Sequence, residues 1–217
     1  MNGSAQRLPL TIWVGFGLLF GLLGLMYLLS LMEYSQARQK ALPVINQVAG
    51  FTLTNQTGHV TALADLSNRV WVADIIFTRC AGSCPVMSTK MKSLQDALPS
   101  TSQAKLVTLT TDPDYDTPDI LKKYGEHYGA NFQRWTFLSG TKKELAGLAT
   151  GSLKLGSTPV PPQDRTSSAD LFVHSTIFVV VDKQARLRGI FQTEGDDVDW
   201  AKAKSQILAT VKELEGG

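Results

Sequence analysis

The chain has 217 residues, 43% of them hydrophobic and 18% charged, with 21 basic against 19 acidic side chains and a formal charge of +2. That balance supplies no basic stripe for nucleic-acid phosphates, and the apolar content is too high for a disordered chain. The 2 cysteines are too few for a disulfide-built secreted scaffold or an all-cysteine zinc site.

Residues 8–32, LPLTIWVGFGLLFGLLGLMYLLSLM, carry no charge between Arg7 and Glu33. As a helix this run spans about 37 Å at ~1.5 Å per residue, against a hydrocarbon core of about 30 Å, so a single transmembrane anchor is predicted. Trp13 near one end and Tyr27 and Tyr34 near the other suit the membrane interfaces, and Gly15, Gly17, Gly21 and Gly24 are tolerated in such spans. A cleaved signal peptide has a shorter apolar core of about 7–15 residues, although Ser35-Gln36-Ala37 is a passable cleavage site. Arg7 on one side and Arg38 and Lys40 on the other balance, so charge alone does not orient the span. We place residues 1–7 in the cytoplasm as a short tail. No Arg- and Ser-rich presequence is visible, so the expected location is a bacterial inner membrane with the C-terminal domain in the periplasm.

Residues 33–45 read as a polar tether, and 46–217 as one domain large enough to bury roughly 70% of its unfolded surface. Phe51–Thr54 and Val60–Leu63 flank Asn55-Gln56-Thr57-Gly58 and predict a hairpin. Val70–Phe77 is a mostly apolar run, as in a strand buried on both faces. Pro85 opens a predicted helix to Leu98 that places Val86, Met87, Met91, Leu94 and Leu98 on one side. Leu106–Leu109 and Trp135–Leu138 read as strands, Thr117–Tyr128 as a helix, and Thr141–Leu148 as a helix opened by a capping box. Residues 150–169 are rich in Gly, Ser, Thr and Pro and read as a loop or flap. Strands Thr176–Val181 and Leu187–Phe191 and a helix Asp197–Leu214 close the chain. Alternating buried strands and amphipathic helices make an α/β protein, and the final hairpin and helix narrow this to a thioredoxin-like fold.

Both cysteines fall in one loop, Phe77-Thr78-Arg79-Cys80-Ala81-Gly82-Ser83-Cys84-Pro85, between a buried strand and a helix. Cys84 is expected at the helix N-cap, where the dipole favours a thiolate. Two sulfurs facing one point can cycle between dithiol and disulfide or hold a soft metal, and two thiolates with one imidazole suit Cu(I). Three histidines are available. His59 sits by the hairpin turn, His127 lies late in a helix, and His174 precedes an apolar strand. Position alone leaves each of them a structural alternative. Met87 and Met91 lie one helical turn apart and read as core in preference to thioether ligands. Asp112, Asp114 and Asp116 imitate half a calcium loop, but Thr117 replaces its glycine and Lys123 its bidentate Glu.

The Cys-x-x-x-Cys-Pro loop, Asp112-Pro113-Asp114-Tyr115-Asp116-Thr117-Pro118, Arg134-Trp135-Thr136-Phe137-Leu138-Ser139-Gly140 and the late His174 together resemble the Sco/SenC family of copper chaperones. The similarity runs in order from about Gly50 to the last helix. It implies a membrane-anchored metallochaperone whose metal ligands are Cys80, Cys84 and His174. The cargo would be copper, as Cu(I) and also Cu(II), delivered to the binuclear copper centre of cytochrome c oxidase. The implied partners are the oxidase's copper-centre subunit, a thioredoxin-like reductant or another copper carrier. The resemblance also offers Asp112 as a group tuning the site, beside its plainer role as a turn residue capping the next helix. Two departures stand out. Ala81-Gly82-Ser83 fills the loop where the family usually has a proline and a bulky aliphatic residue, and Val173 precedes the histidine where an acidic residue is often found. In thioredoxin-like folds a cis-proline faces the cysteine loop; Ser175 takes that place here. The alternative is a thiol–disulfide oxidoreductase with Cys80 and Cys84 as its catalytic redox pair and no metal. A copper-responsive redox sensor is a third reading.

Overall fold

The computed structural model describes residues 10–40, 42–161, 163 and 172–216. It divides into two compact units at Leu42/Pro43. In the first, helix α1 (Leu10–Lys40) contains Ile12–Ser30, long and apolar enough to cross a membrane.

In the second, strands β1 (Asn46–Gln47), β2 (Thr52–Asn55), β3 (Val60–Ala62), β4 (Trp71–Ile76), β5 (Lys105–Thr110), β6 (Trp135–Ser139), β9 (Ile177–Val181) and β10 (Arg186–Gln192) form one sheet. Its order is β1-β10-β9-β4-β5-β6-β2-β3. Strands β4, β5 and β6 run parallel, and β9 pairs antiparallel with β4, Val72 opposite Val180. Helices α2 (Ser83–Ala97) and α3 (Pro118–His127) make the crossovers that parallel pairing demands. Every residue of β4 is buried, which explains why it reads as a run and not as an alternation.

Alternate side chains of β4 supply two cores. Val72 and Ile76 meet Met87, Met91 and Leu94 of α2 and Ile207 and Val211 of the last helix, α5 (Trp200–Gly216). Trp71, Ala73 and Ile75 share the opposite core with Leu145 of α4 (Lys142–Ala146) and Leu148 and Ala149 of the wide π-helical turn that follows, Gly147–Ser152. Met87 and Met91 are fully enclosed, so their thioethers are packing groups, as expected from their spacing. Thr141 and Glu144 form the predicted capping box, Glu144 N–H donating to Thr141 Oγ1 and Thr141 N–H to Glu144 Oε2 at 3.3 and 3.0 Å.

The β9–β10 turn is held by the buried Asp182. Its carboxylate accepts from the N–H groups of Gln184 and Arg186, both at 2.9 Å, and from the guanidiniums of Arg186 (2.8 Å) and Arg188 (2.6 Å).

Three local features depart from the sequence reading. Helix α2 begins at Ser83, two residues before Pro85, because Gly82 takes the N-cap with φ −98° and ψ −112°. Within the span read as a loop, Ser157–Pro159 forms β7, which pairs with β8 (Phe172–His174) as a separate two-stranded ribbon, Ser157 opposite His174. Residues 162 and 164–169 of that span lie outside the described residues. At the sheet's outer edge, β1 pairs with β10 where no strand was expected, Asn46 opposite Leu187.

Candidate metal centre

Strand β4 ends at Ile76, and the chain turns at once: Cys80 N–H donates to Phe77 O at 3.2 Å. This brings the half-exposed Cys80 back over the first turn of α2, where Cys84 is wholly buried. The two side chains are hydrogen-bonded to each other as thiols. Each sulfur also receives a backbone N–H at 3.4 Å, Gly82 to Cys80 Sγ and Phe77 to Cys84 Sγ. Such N–H groups favour negative charge on sulfur and leave lone pairs for a soft cation.

The expected thiolate at Cys84 is not what the geometry produces. Cys84 lies inside the helix instead of at its cap, and its pKa is pushed far above the ordinary thiol value. The hydrogen bond with Cys80 contributes most, then burial; the Phe77 N–H pulls the other way. A metal held by this pair would have to displace its protons. The difference in burial also separates the two thiols chemically. Iodoacetamide is expected to alkylate Cys80 at least about tenfold faster than Cys84, read by peptide mapping against time, since Cys80 is the accessible sulfur and the raised pKa of Cys84 holds back its thiolate.

Two carboxylates brace the loop: Asp112, which the family resemblance offers as a group tuning the site, and Asp116, which it does not. Asp116 is buried and accepts from Thr78 N–H at 3.2 Å, from the Thr78 hydroxyl, and from the Thr110 hydroxyl at 2.5 Å. Burial raises its carboxyl above the ordinary range despite these bonds. Arg79, adjacent to Cys80, pairs with Asp112 Oδ2 at 2.5 Å and lies 4.1 Å from the centroid of the Tyr115 ring. Within β4 Asp74 is fully buried, accepting from Thr108 Oγ1 at 2.6 Å, which in turn accepts from Trp135 Nε1 at 2.8 Å. Asp74 adds to the field that holds the proton on Cys84.

The other candidates separate cleanly. His59 is exposed, its Nδ1 2.8 Å from Thr57 Oγ1, and His127 is exposed beside Tyr128. Asp114 points outward to Lys142 at 2.5 Å, so Asp112, Asp114 and Asp116 do not converge as a calcium loop would. Among the described residues no three His, Cys, Asp or Glu side chains gather as a metal site. The His174 side chain lies outside the described set, but its backbone ends β8. Ser175 N–H then donates to Gly156 O at 2.8 Å, and β9 begins at Ile177. Because β9 is antiparallel to β4, the chain preceding β9 stands at the C-terminal end of β4, the end that carries both cysteines.

The SCO1/SenC family model matches residues 40–209. The chain belongs to the SCO1/SenC family. Among curated relatives it is 30% identical over 162 residues to a SCO1 protein homolog of Bacillus subtilis (strain 168), covering 72% of this chain and 81% of that one. Among solved structures it matches BsSco, described as a member of the Sco family of cytochrome c oxidase assembly proteins with a disulfide switch. That match has a TM-score of 0.68 and 27% identity, and covers 82% of this chain and 98% of BsSco. The copper-bound ScoI of Bradyrhizobium japonicum matches with a TM-score of 0.64 at 19% identity, over 77% of this chain and 99% of that one. The Sco fold of this chain is thus thioredoxin-like, with a candidate transmembrane helix ahead of it.

Proposed function

We propose that this Sco-family chain is a membrane-anchored copper carrier that holds Cu(I) with Cys80, Cys84 and His174 and delivers it to the binuclear copper centre of cytochrome c oxidase. The observation that carries the reading is the meeting of the two thiols at the end of β4 to which the His174 strand also returns. Copper bound to homologous Sco structures and the oxidase-assembly description of BsSco support it. Two sulfurs and an imidazole form a trigonal donor set of the kind soft Cu(I) prefers. Cys80, the more accessible sulfur, is the first to yield to an incoming partner thiolate, and Cys84 holds the ion until a second partner ligand arrives. Asp112 acts on this exchange through Arg79, the residue before Cys80, whose guanidinium it pairs. The carrier works from the periplasmic face of a bacterial inner membrane.

The test is an anaerobic Cu(I) titration of the full chain in detergent, reduced and in competition with a chelator, with His174→Ala alongside. One tight equivalent, weakened at least about 100-fold in the variant, is expected. Binding indifferent to His174 would overturn the three-ligand site.

The unequal burial of the two sulfurs also fits a second reading. An accessible attacking thiol beside a buried resolving thiol is the arrangement of a disulfide reductase. On that reading turnover of a disulfide substrate survives His174→Ala.

A further inference from the structure

Two residues, Thr78 and Arg79, separate the buried Phe77 from Cys80, so they decide where the more exposed sulfur stands. Cys84 is located independently, by its place inside α2 and by the Phe77 N–H. Each of the two linking residues is gripped by a carboxylate from the loop after β5, Thr78 by Asp116 and Arg79 by Asp112. The two grips are coupled. Asp116 N–H donates to Asp112 O at 2.8 Å, and Thr110 Oγ1 accepts from Asp112 N–H at 2.9 Å while its proton goes to Asp116. They are not equal in strength. The Arg79 side chain is 34% exposed, so solvent weakens its pair, whereas Asp116 is sealed and its bonds to Thr78 and Thr110 escape that screening.

We propose that Asp116 is the positioning residue of the cysteine loop: by binding the amide and hydroxyl of Thr78 and the hydroxyl of Thr110, it ties the end of β4 to the end of β5 and sets the place of Cys80 relative to Cys84. It touches neither sulfur and acts through Thr78. The inference rests on the reading of Cys80 and Cys84 as one site, but it requires no metal. A displaced Cys80 meets Cys84 less often, which weakens any chemistry the pair performs together.

The experiment equilibrates the full chain in detergent with reduced and oxidised glutathione under argon. Two electrons and two protons pass from the dithiol to glutathione disulfide, leaving a Cys80–Cys84 disulfide and two glutathione thiols. Thr78→Val and Asp116→Ala are each expected to lower the equilibrium constant for disulfide formation about tenfold, equivalent to roughly 30 mV. The double variant should lose little more than Asp116→Ala alone, because one interaction is removed twice. Thr78→Ser, which keeps the hydroxyl, should behave as the unmodified chain. Leu187→Ala, a cavity in the opposite core, should lower the melting temperature without moving the constant.

A constant within about twofold of the unmodified chain in both single variants, additive losses in the double, or an equal loss in Leu187→Ala would each overturn the proposal. Should Asp116→Ala fail to fold, Thr78→Val, which preserves volume, decides alone. Weak Cu(I) binding by the unmodified chain would refute the copper reading and leave this result standing.

Discussion

Cys84→Ser is expected to lower Cu(I) affinity roughly 10²–10³-fold. Structural zinc sites with four thiolate and imidazole ligands bind with about 10–16 kcal/mol, or ~2.5–4 kcal/mol for each ligand, and a comparable loss per ligand here converts to that factor. Cys80→Ser should match it in affinity but differ in stability. Cys84 is wholly enclosed among Ile76, Phe77 and Met87, so a serine hydroxyl there costs about 1–3 kcal/mol of folding free energy. Cys80 is half-exposed on the loop, and its substitution should stay within about 0.5 kcal/mol. Met91→Leu, in the same core, should leave copper affinity unchanged. Chelator competition and thermal melts on the four proteins separate these effects. A Cys84→Ser chain that binds like the unmodified one would refute the site.

Asp182→Ala is the substitution expected to cost most stability away from the site, about 2–4 kcal/mol. It removes one buried carboxylate that satisfies two backbone N–H groups and two guanidiniums, one of them on the mostly buried Arg188. Burial alone would raise the Asp182 carboxyl, but the N–H groups of Arg186 and Gln184 and the guanidiniums of Arg188 and Arg186 outweigh it and hold the pKa below the ordinary value. Its stabilisation is therefore present above the unfolded carboxylate pKa and lost as pH falls through the depressed folded value. Asp116 carries the opposite sign: its raised pKa gives a contribution that is complete below the unfolded value and lost as pH rises through the folded one. Urea denaturation at pH 7 and pH 3 should show the Asp182→Ala penalty shrinking at the lower pH. A penalty that stays constant would show that the turn is held by something other than this carboxylate.

Much of the site was legible because its chemistry is local. Both cysteines share one loop, and an apolar run such as Val70–Phe77 can only be a strand covered on both sides. Residues bonded to distant partners were not legible. Asp116 reads as the third aspartate of half a calcium loop and as part of a family motif, and its binding of Thr78 exists only once β4 and β5 lie side by side. The start of α2 was misplaced because proline is a familiar first-turn signal, whereas Gly82 caps through a backbone conformation that composition does not announce. Strand β7 was hidden for a similar reason: Ser157-Thr158-Pro159 carries turn chemistry and becomes a strand only through β8. Arg79 was visible as a charge next to Cys80, but its pairing with Asp112 depends on the same crossover that brings Asp116 into reach.

The order of strands across the sheet has a consequence for how the chain acquires its structure. The unit that bears both cysteines, β4-α2-β5-α3-β6, is contiguous and complete by Ser139, so its contacts form between near neighbours in sequence. The other side of β4 is covered only by β9, which begins at Ile177. A chain emerging N-terminus first therefore passes through a stage in which β4, wholly buried in the finished fold, is a bare sheet edge, open to pairing with another chain. During that interval both cysteines are already in place at the end of β4 while β8 and β9 have yet to arrive. Misassembly through β4 thus competes with completion of the fold, and that risk ends when β9 docks on its second edge.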